Sequence, residues 1–153
     1  MAHRKTLSDL IGLGRMVSLP REAPAALAAR RMLEAQIGAV VVLSDGKLLG
    51  IVTERDINFR VVAIGRDPRT TSVADIMTRN PKTMPPETPV LEALNLMQKS
   101  GFRHVPVVED EKVIGVVSLL DIFMEVRRSL ETDIQESDDF MEISGGPEPG
   151  GIQ

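Results

Sequence analysis

Two rhythms of apolar and polar positions alternate along this chain. Ala39-Val40-Val41-Val42-Leu43 is continuous and β-branched, the pattern of a strand buried on both faces. Ser44-Asp45-Gly46-Lys47 follows, and Leu48 to Val52 is a second apolar run. Asp-Gly between two such runs predicts a hairpin. Ahead of the hairpin, Ala25 to Gln36 is alanine-rich and helix-favouring, with Gly38 as its stop. Arg15-Met16-Val17-Ser18-Leu19 reads as a short strand, and Pro20 to Pro24 as a turn. Glu54 to about Ile64 reads as the helix that follows the hairpin.

The pattern then recurs. Gly50-Ile51-Val52-Thr53-Glu54-Arg55-Asp56 matches Gly115-Val116-Val117-Ser118-Leu119-Leu120-Asp121 at an offset of 65 positions. The same offset pairs Pro20 with Pro85, Pro24 with Pro89, Met32 with Met97 and Val40 with Val105. A lead-in, Leu7 to Ile11, resembles Val73 to Met77 before the second copy. A constant offset of this kind marks a duplicated module. The second copy predicts a short strand over Lys82-Thr83-Met84 and a helix from Val90 to Ser100, ended by Gly101. A hairpin from His104 to Val117, turned by Glu109-Asp110-Glu111, and a closing helix from Ile122 to about Leu130 complete it. A copy of roughly 60 residues buries too little surface to stand alone, so the halves are expected to share a core.

Composition narrows the function classes. The net charge is −4, and there are four Phe but no Trp or Tyr. Neither suits a general nucleic-acid binder or a base-stacking platform. Cysteine is absent, so disulfide and thiolate chemistry are excluded. No apolar run approaches the roughly 18 residues of a membrane span, and no signal-type stretch follows Met1-Ala2-His3-Arg4-Lys5. A soluble cytoplasmic protein with no membrane partner is expected. His3 and His104 are the only histidines and make no metal pattern. No nucleophile or paired carboxylate is placed near His104 by sequence, so no catalytic residue and no enzyme activity are expected. The eight methionines read as core filler.

The candidate chemistry lies at the repeated strand-to-helix junction. Thr53 with Asp56, and Ser118 with Asp121, have the spacing of a helix capping box. The same aspartate could accept hydrogen bonds from a ribose diol, and charged acceptors make the stronger bonds. The helix start beside it suits a phosphate. Ile51 or Val116 offers an apolar wall for a purine.

Strand, helix, strand, strand, helix, twice over, with Gly-apolar-apolar-Thr/Ser-x-x-Asp at each junction, resembles a tandem pair of cystathionine-β-synthase (CBS) domains, a Bateman module. Asp75-Ile76-Met77-Thr78 and Arg103-His104-Val105-Pro106-Val107-Val108 add to the resemblance. It implies an α/β (α+β) fold of two pseudo-two-fold related β-α-β-β-α domains, at residues 7–65 and 73–130. Residues 66–72 would form a linker, and 131–153 an acidic tail, a short helical extension fraying into disorder. It also implies a regulatory module that binds AMP, ADP, ATP, S-adenosylmethionine or NAD, dimerises, and acts on an unidentified partner protein. By the same resemblance, a first cleft would combine Ile51, Thr53 and Asp56 with Pro81, Lys82 and Thr83 at the adenine edge and Arg103 and His104 at the phosphates. A second would combine Val116, Ser118 and Asp121 with Met16, Val17 and Ser18, with Arg55 as its basic residue and Gly38 and Ala39 in place of Arg103 and His104.

Overall fold

The structure, a computed structural model, describes residues 4–11 and 16–144. In the first half, β1 (Ser18–Pro20), α2 (Ala25–Ala35), β2 (Ala39–Ser44) and β3 (Lys47–Thr53) follow a short α1 (Leu7–Leu10). Helix α3 (Glu54–Ile57) runs directly into a π-helical segment, Asn58–Val62. The second half has α4 (Val73–Ile76), β4 (Thr78–Arg79), α5 (Val90–Ser100), β5 (His104–Glu109), β6 (Lys112–Ser118) and α6 (Leu119–Ser144). The α+β architecture and the twofold repeat expected from sequence are thus present.

Local chemistry explains most element boundaries. Asp45 and Gly46 both adopt positive φ, 50° and 77°, the geometry of a tight hairpin turn between β2 and β3. Helix α2 is capped two residues before Gly38, because Gln36 takes the left-handed C-cap at φ 53°. Helix α5 ends on Gly101, which caps it at φ 76°.

Strands β1 to β4 form one sheet in that order, with β1 parallel to β2 and the other pairs antiparallel. Strands β5 and β6 form a separate two-stranded sheet. The strand expected at Lys82-Thr83-Met84 shrinks to one parallel bridge between Met84 and Val107. The cause is a single residue. In the first copy Val41 N–H donates to Val17 O at 3.0 Å, but its repeat partner is Pro106, which has no N–H to give.

The halves do not pool one core. Leu19, Ala28, Met32, Val40, Val42, Val52 and Val61 pack with Val73, Ile76 and Met77. Met84, Ala93, Met97, Val105, Val117 and Ile122 pack with Leu7. Each lead-in helix therefore fills the core of the other copy. Backbone bonds fix the exchange: Val73 N–H donates to Ala23 O at 2.8 Å, and Leu7 N–H to Thr88 O at 3.0 Å. The lead-in belongs by sequence to the copy it precedes and by packing to the other.

The acidic stretch after Leu130, expected to begin as a helical extension, is helical up to Ser144. It continues α6 without interruption, helped at its root by the Arg127–Glu131 pair four residues apart at 3.1 Å. No helix among the described residues is long and apolar enough to cross a membrane.

Candidate functional site

A cleft of about 1280 Å³ opens between the halves. Val116, Ser118 and Asp121 form one wall, at the end of β6 and the start of α6, and Met16 lies with them. Gly38, Ala39 and Glu54 line the cleft from the first copy, and Arg103 and His104 from the second. Leu33, Ile37 and Ile57, with Phe123 and Met124 of α6, add apolar surface.

The junction geometry repeats as expected. Thr53 N–H donates to Asp56 Oδ2 at 2.9 Å, and Asp56 N–H to Thr53 Oγ1 at 3.3 Å. Ser118 N–H donates to Asp121 Oδ2 at 2.8 Å, and Asp121 N–H to Ser118 Oγ at 3.1 Å. Both aspartates thus cap a helix start. Their surroundings differ. Asp56 is buried at 8% exposure, and its Oδ1 lies 3.6 Å from Arg60 Nε. Asp121 is exposed, and among the described residues it has no ion pair.

This cleft brings together only part of the residues expected in two. Arg103 and His104, assigned by resemblance to the Asp56 side, line the large cleft beside Asp121. They reach it because Gly38 has no side chain. A β carbon there would stand 3.1 Å from His104 Nε2 and 3.1 Å from Glu54 Oε1. Arg55, expected as the basic residue of the Asp121 cleft, lies instead over the Phe59 ring, 5.3 Å from its centroid, and is not among the lining residues. Ile51, Thr53, Asp56, Pro81, Lys82 and Thr83 do not line this cleft either. Ile51 is buried, paired with Val41 and with Thr78 in the four-stranded sheet. Val17 and Ser18 serve β1 and its neighbour β2, Val17 through its carbonyl and Ser18 in register with Val41.

Burial pushes the His104 imidazole below its ordinary range. Glu54 and Asp121 pull it the other way, Arg103 adds to the lowering, and Asp56 opposes it weakly. The free protein therefore presents a neutral imidazole beside a guanidinium and two carboxylates. Sequence reasoning missed Glu54 and Arg60. Arg60 stands four residues after Asp56, a spacing that places both on one helix face.

With the geometry in view, the comparisons decide the family. The family model for the CBS domain matches residues 8–62 and 73–128. The chain belongs to the CBS-domain family. It is 38% identical over 124 residues to the mitochondrial CBS domain-containing protein CBSX3 of Arabidopsis thaliana, covering 78% of this chain and 59% of that one. Against the uncharacterized protein YlbB of Bacillus subtilis it is 37% identical over 118 residues, covering 72% and 79%. The chain therefore spans well under two thirds of the first relative. Among solved structures, a protein with CBS domains from Burkholderia ambifaria superposes with a TM-score of 0.75 at 31% identity, covering 80% of this chain and 93% of that one. The CBS pair of protein MJ0100, solved with 5′-methylthioadenosine and S-adenosylmethionine, superposes at 0.72 with 27% identity, covering 80% and 99%. CBS pairs are generally regulatory, ligand-binding modules, so this chain is a CBS pair of that regulatory type.

Proposed function

We propose that this CBS pair is a sensor that binds an adenine nucleotide, AMP, ADP or ATP, in the Asp121 cleft and relays energy or redox state to a partner protein in the cytoplasm. The observation that carries the reading is the convergence of an exposed ribose-type acceptor, Asp121, with Arg103 in one partly apolar cleft. The free Asp121 oxygen would accept from the ribose hydroxyls, and Val116 and Met16 would flank the base. Arg103 would meet the phosphates, where a guanidinium forms strong charge-assisted bonds. Because both halves line the cleft, a ligand that prefers one spacing of the halves shifts the population toward it.

The relay would run through a homodimer. Phe59, Val62 and Ile64 at the end of the first copy, and Leu120, Phe123 and Met124 on α6, are exposed. That much bare apolar surface on one chain favours an isologous partner.

Mass spectrometry of small molecules released from the purified protein tests the reading. AMP, ADP or ATP is expected. S-adenosylmethionine, with which the MJ0100 pair was solved, or NAD instead would keep the site and change the ligand. No adenosine compound bound at any concentration would leave a dimerisation adaptor and overturn the proposal.

A further inference from the structure

The two repeat aspartates are chemically equivalent in sequence and unequal in the fold. Asp56 has both carboxylate oxygens engaged. Oδ2 accepts from Thr53 N–H at 2.9 Å and from Thr53 Oγ1 at 3.1 Å, and Oδ1 faces Arg60 at 3.6 Å. Among the described residues Asp121 uses Oδ2 alone, for Ser118 N–H, so Oδ1 remains to accept from a ligand.

Arg60 does more than pair. Its Nη1 donates to Ile76 O at 3.0 Å and to Met77 O at 3.3 Å. One guanidinium thus ties the junction of the first copy to the segment that leads into β4. That segment is already fixed from the strand side. Thr78 and Arg79 pair with Ile51 and Gly50, and Met77 lies so close to Gly50 that a β carbon would come within 2.6 Å of its sulfur. Arg60 thus ties Asp56 to a segment that the strand pairing already holds in place.

The repeat partner of Arg60 is Glu125, which carries the opposite charge. It cannot donate to a carbonyl or neutralise Asp121. Instead it accepts from Arg128 at 2.7 Å and 3.1 Å and from Ser129 at 3.4 Å, turned along α6. A single Arg/Glu difference between the copies therefore separates a tied aspartate from an open one.

We infer that Arg60 locks the Asp56 half of the repeat as structure, so that the chain takes one adenine nucleotide, at Asp121. The inference rests on the proposed function for the identity of the ligand, but not for the lock itself. A ribose arriving at Asp56 would have to displace the guanidinium from the carboxylate, leaving two carbonyls without their donor. At Asp121, among the described residues, no cation has to be displaced.

Carbodiimide labelling of carboxylates, read by mass spectrometry on the full chain, tests the lock without any ligand. Asp121 is expected to react and Asp56 to be protected. Arg60→Met should expose Asp56 to labelling. Equal labelling of the two in the unaltered protein overturns the lock, even if Arg60→Met fails to fold. Calorimetric titration of AMP then tests the stoichiometry. One AMP per chain is expected, with Asp121→Ala weakening it by at least about tenfold, the scale of one charge-assisted bond, and Asp56→Ala leaving it unchanged. Two per chain, or loss in Asp56→Ala alone, overturns the inference. If Asp56 is protected and no adenosine compound binds, the lock stands and the functional reading falls.

Discussion

Gly38 of the first copy faces the imidazole of His104 in the second, with space for a β carbon between them only if its neighbours shift slightly. In Gly38→Ala the new methyl would meet His104 Nε2 and Glu54 Oε1, each at 3.1 Å. Both are ends of movable side chains, so the cost should stay near 1 kcal/mol, the low end of overpacking. Gly50→Ala is different. Its β carbon would stand 2.7 Å from the Thr78 carbonyl oxygen, which the sheet prevents from moving. We expect a cost of about 3 kcal/mol there. Urea unfolding of the two variants checks the order; a larger loss in Gly38→Ala would contradict it.

The same histidine makes stability depend on pH. Its folded value lies below the ordinary 6.5 because burial disfavours the imidazolium, with Glu54 and Asp121 only partly offsetting this. Below about pH 6.5 the unfolded chain binds the proton more readily than the folded one, so stability rises with pH. The contribution is complete above that value and is lost as pH falls toward the folded value. His104→Gln should therefore flatten the acid side of the stability profile, measured by urea unfolding between about pH 7.5 and about pH 5.5. An unchanged slope would assign the acid sensitivity elsewhere.

Legibility of the sequence followed the range of the interactions. The hairpin at Asp45-Gly46, the helix from Val90 to Ser100 and the two capping junctions were readable because each is fixed by neighbours within a few positions. What joins distant positions was not. Nothing in Leu7 reveals that it fills the core beside Met97 and Ile122. Pro106 was visible as a motif residue, but its effect on the expected Lys82-Thr83-Met84 strand required knowing that Val41 donates to Val17. Arg103 and His104 stand out in the sequence as candidates, but that they line the cleft beside Asp121 follows from how the halves pack around Gly38. The single repeat difference that distinguishes the two aspartates, Arg60 against Glu125, was available and unread.

The exchanged lead-ins predict a long-range effect near the start of the chain. Leu7 is fully buried among residues of the second copy. Leu7→Ala should cost about 3 kcal/mol, as for a buried leucine in a poorly collapsible core. Hydrogen exchange should show the loss first in α5, β5 and β6. Loosening confined to α2, β2 and β3 would contradict the exchange.

The apolar surface predicts the assembly. Phe123 is 50% and Met124 63% exposed, so neither is needed for the fold of one chain. A glutamate at both positions, Phe123→Glu with Met124→Glu, should leave the melting temperature of the monomer fold intact and convert a dimer to a monomer in sedimentation. A protein that sediments as a monomer before mutation would sink the dimer proposal.

The acidic end of α6 should be dispensable for folding. Every residue from Leu130 to Asp139 is exposed, Leu130 at 57% and Ile134 at 61%, so this part of the helix buries no core surface. Among the described residues the last ion pair along it is Arg127–Glu131, and exposed helical pairs contribute only about 0.3–0.5 kcal/mol. Removing residues from Ser137 onward leaves that pair and the whole second-copy core in place. Melting temperature and AMP titration should both be unchanged in the truncated chain. A clear fall in melting temperature would mean that the exposed helix is covered in the assembled protein, and the dimer contact would then have to extend along α6 beyond Met124.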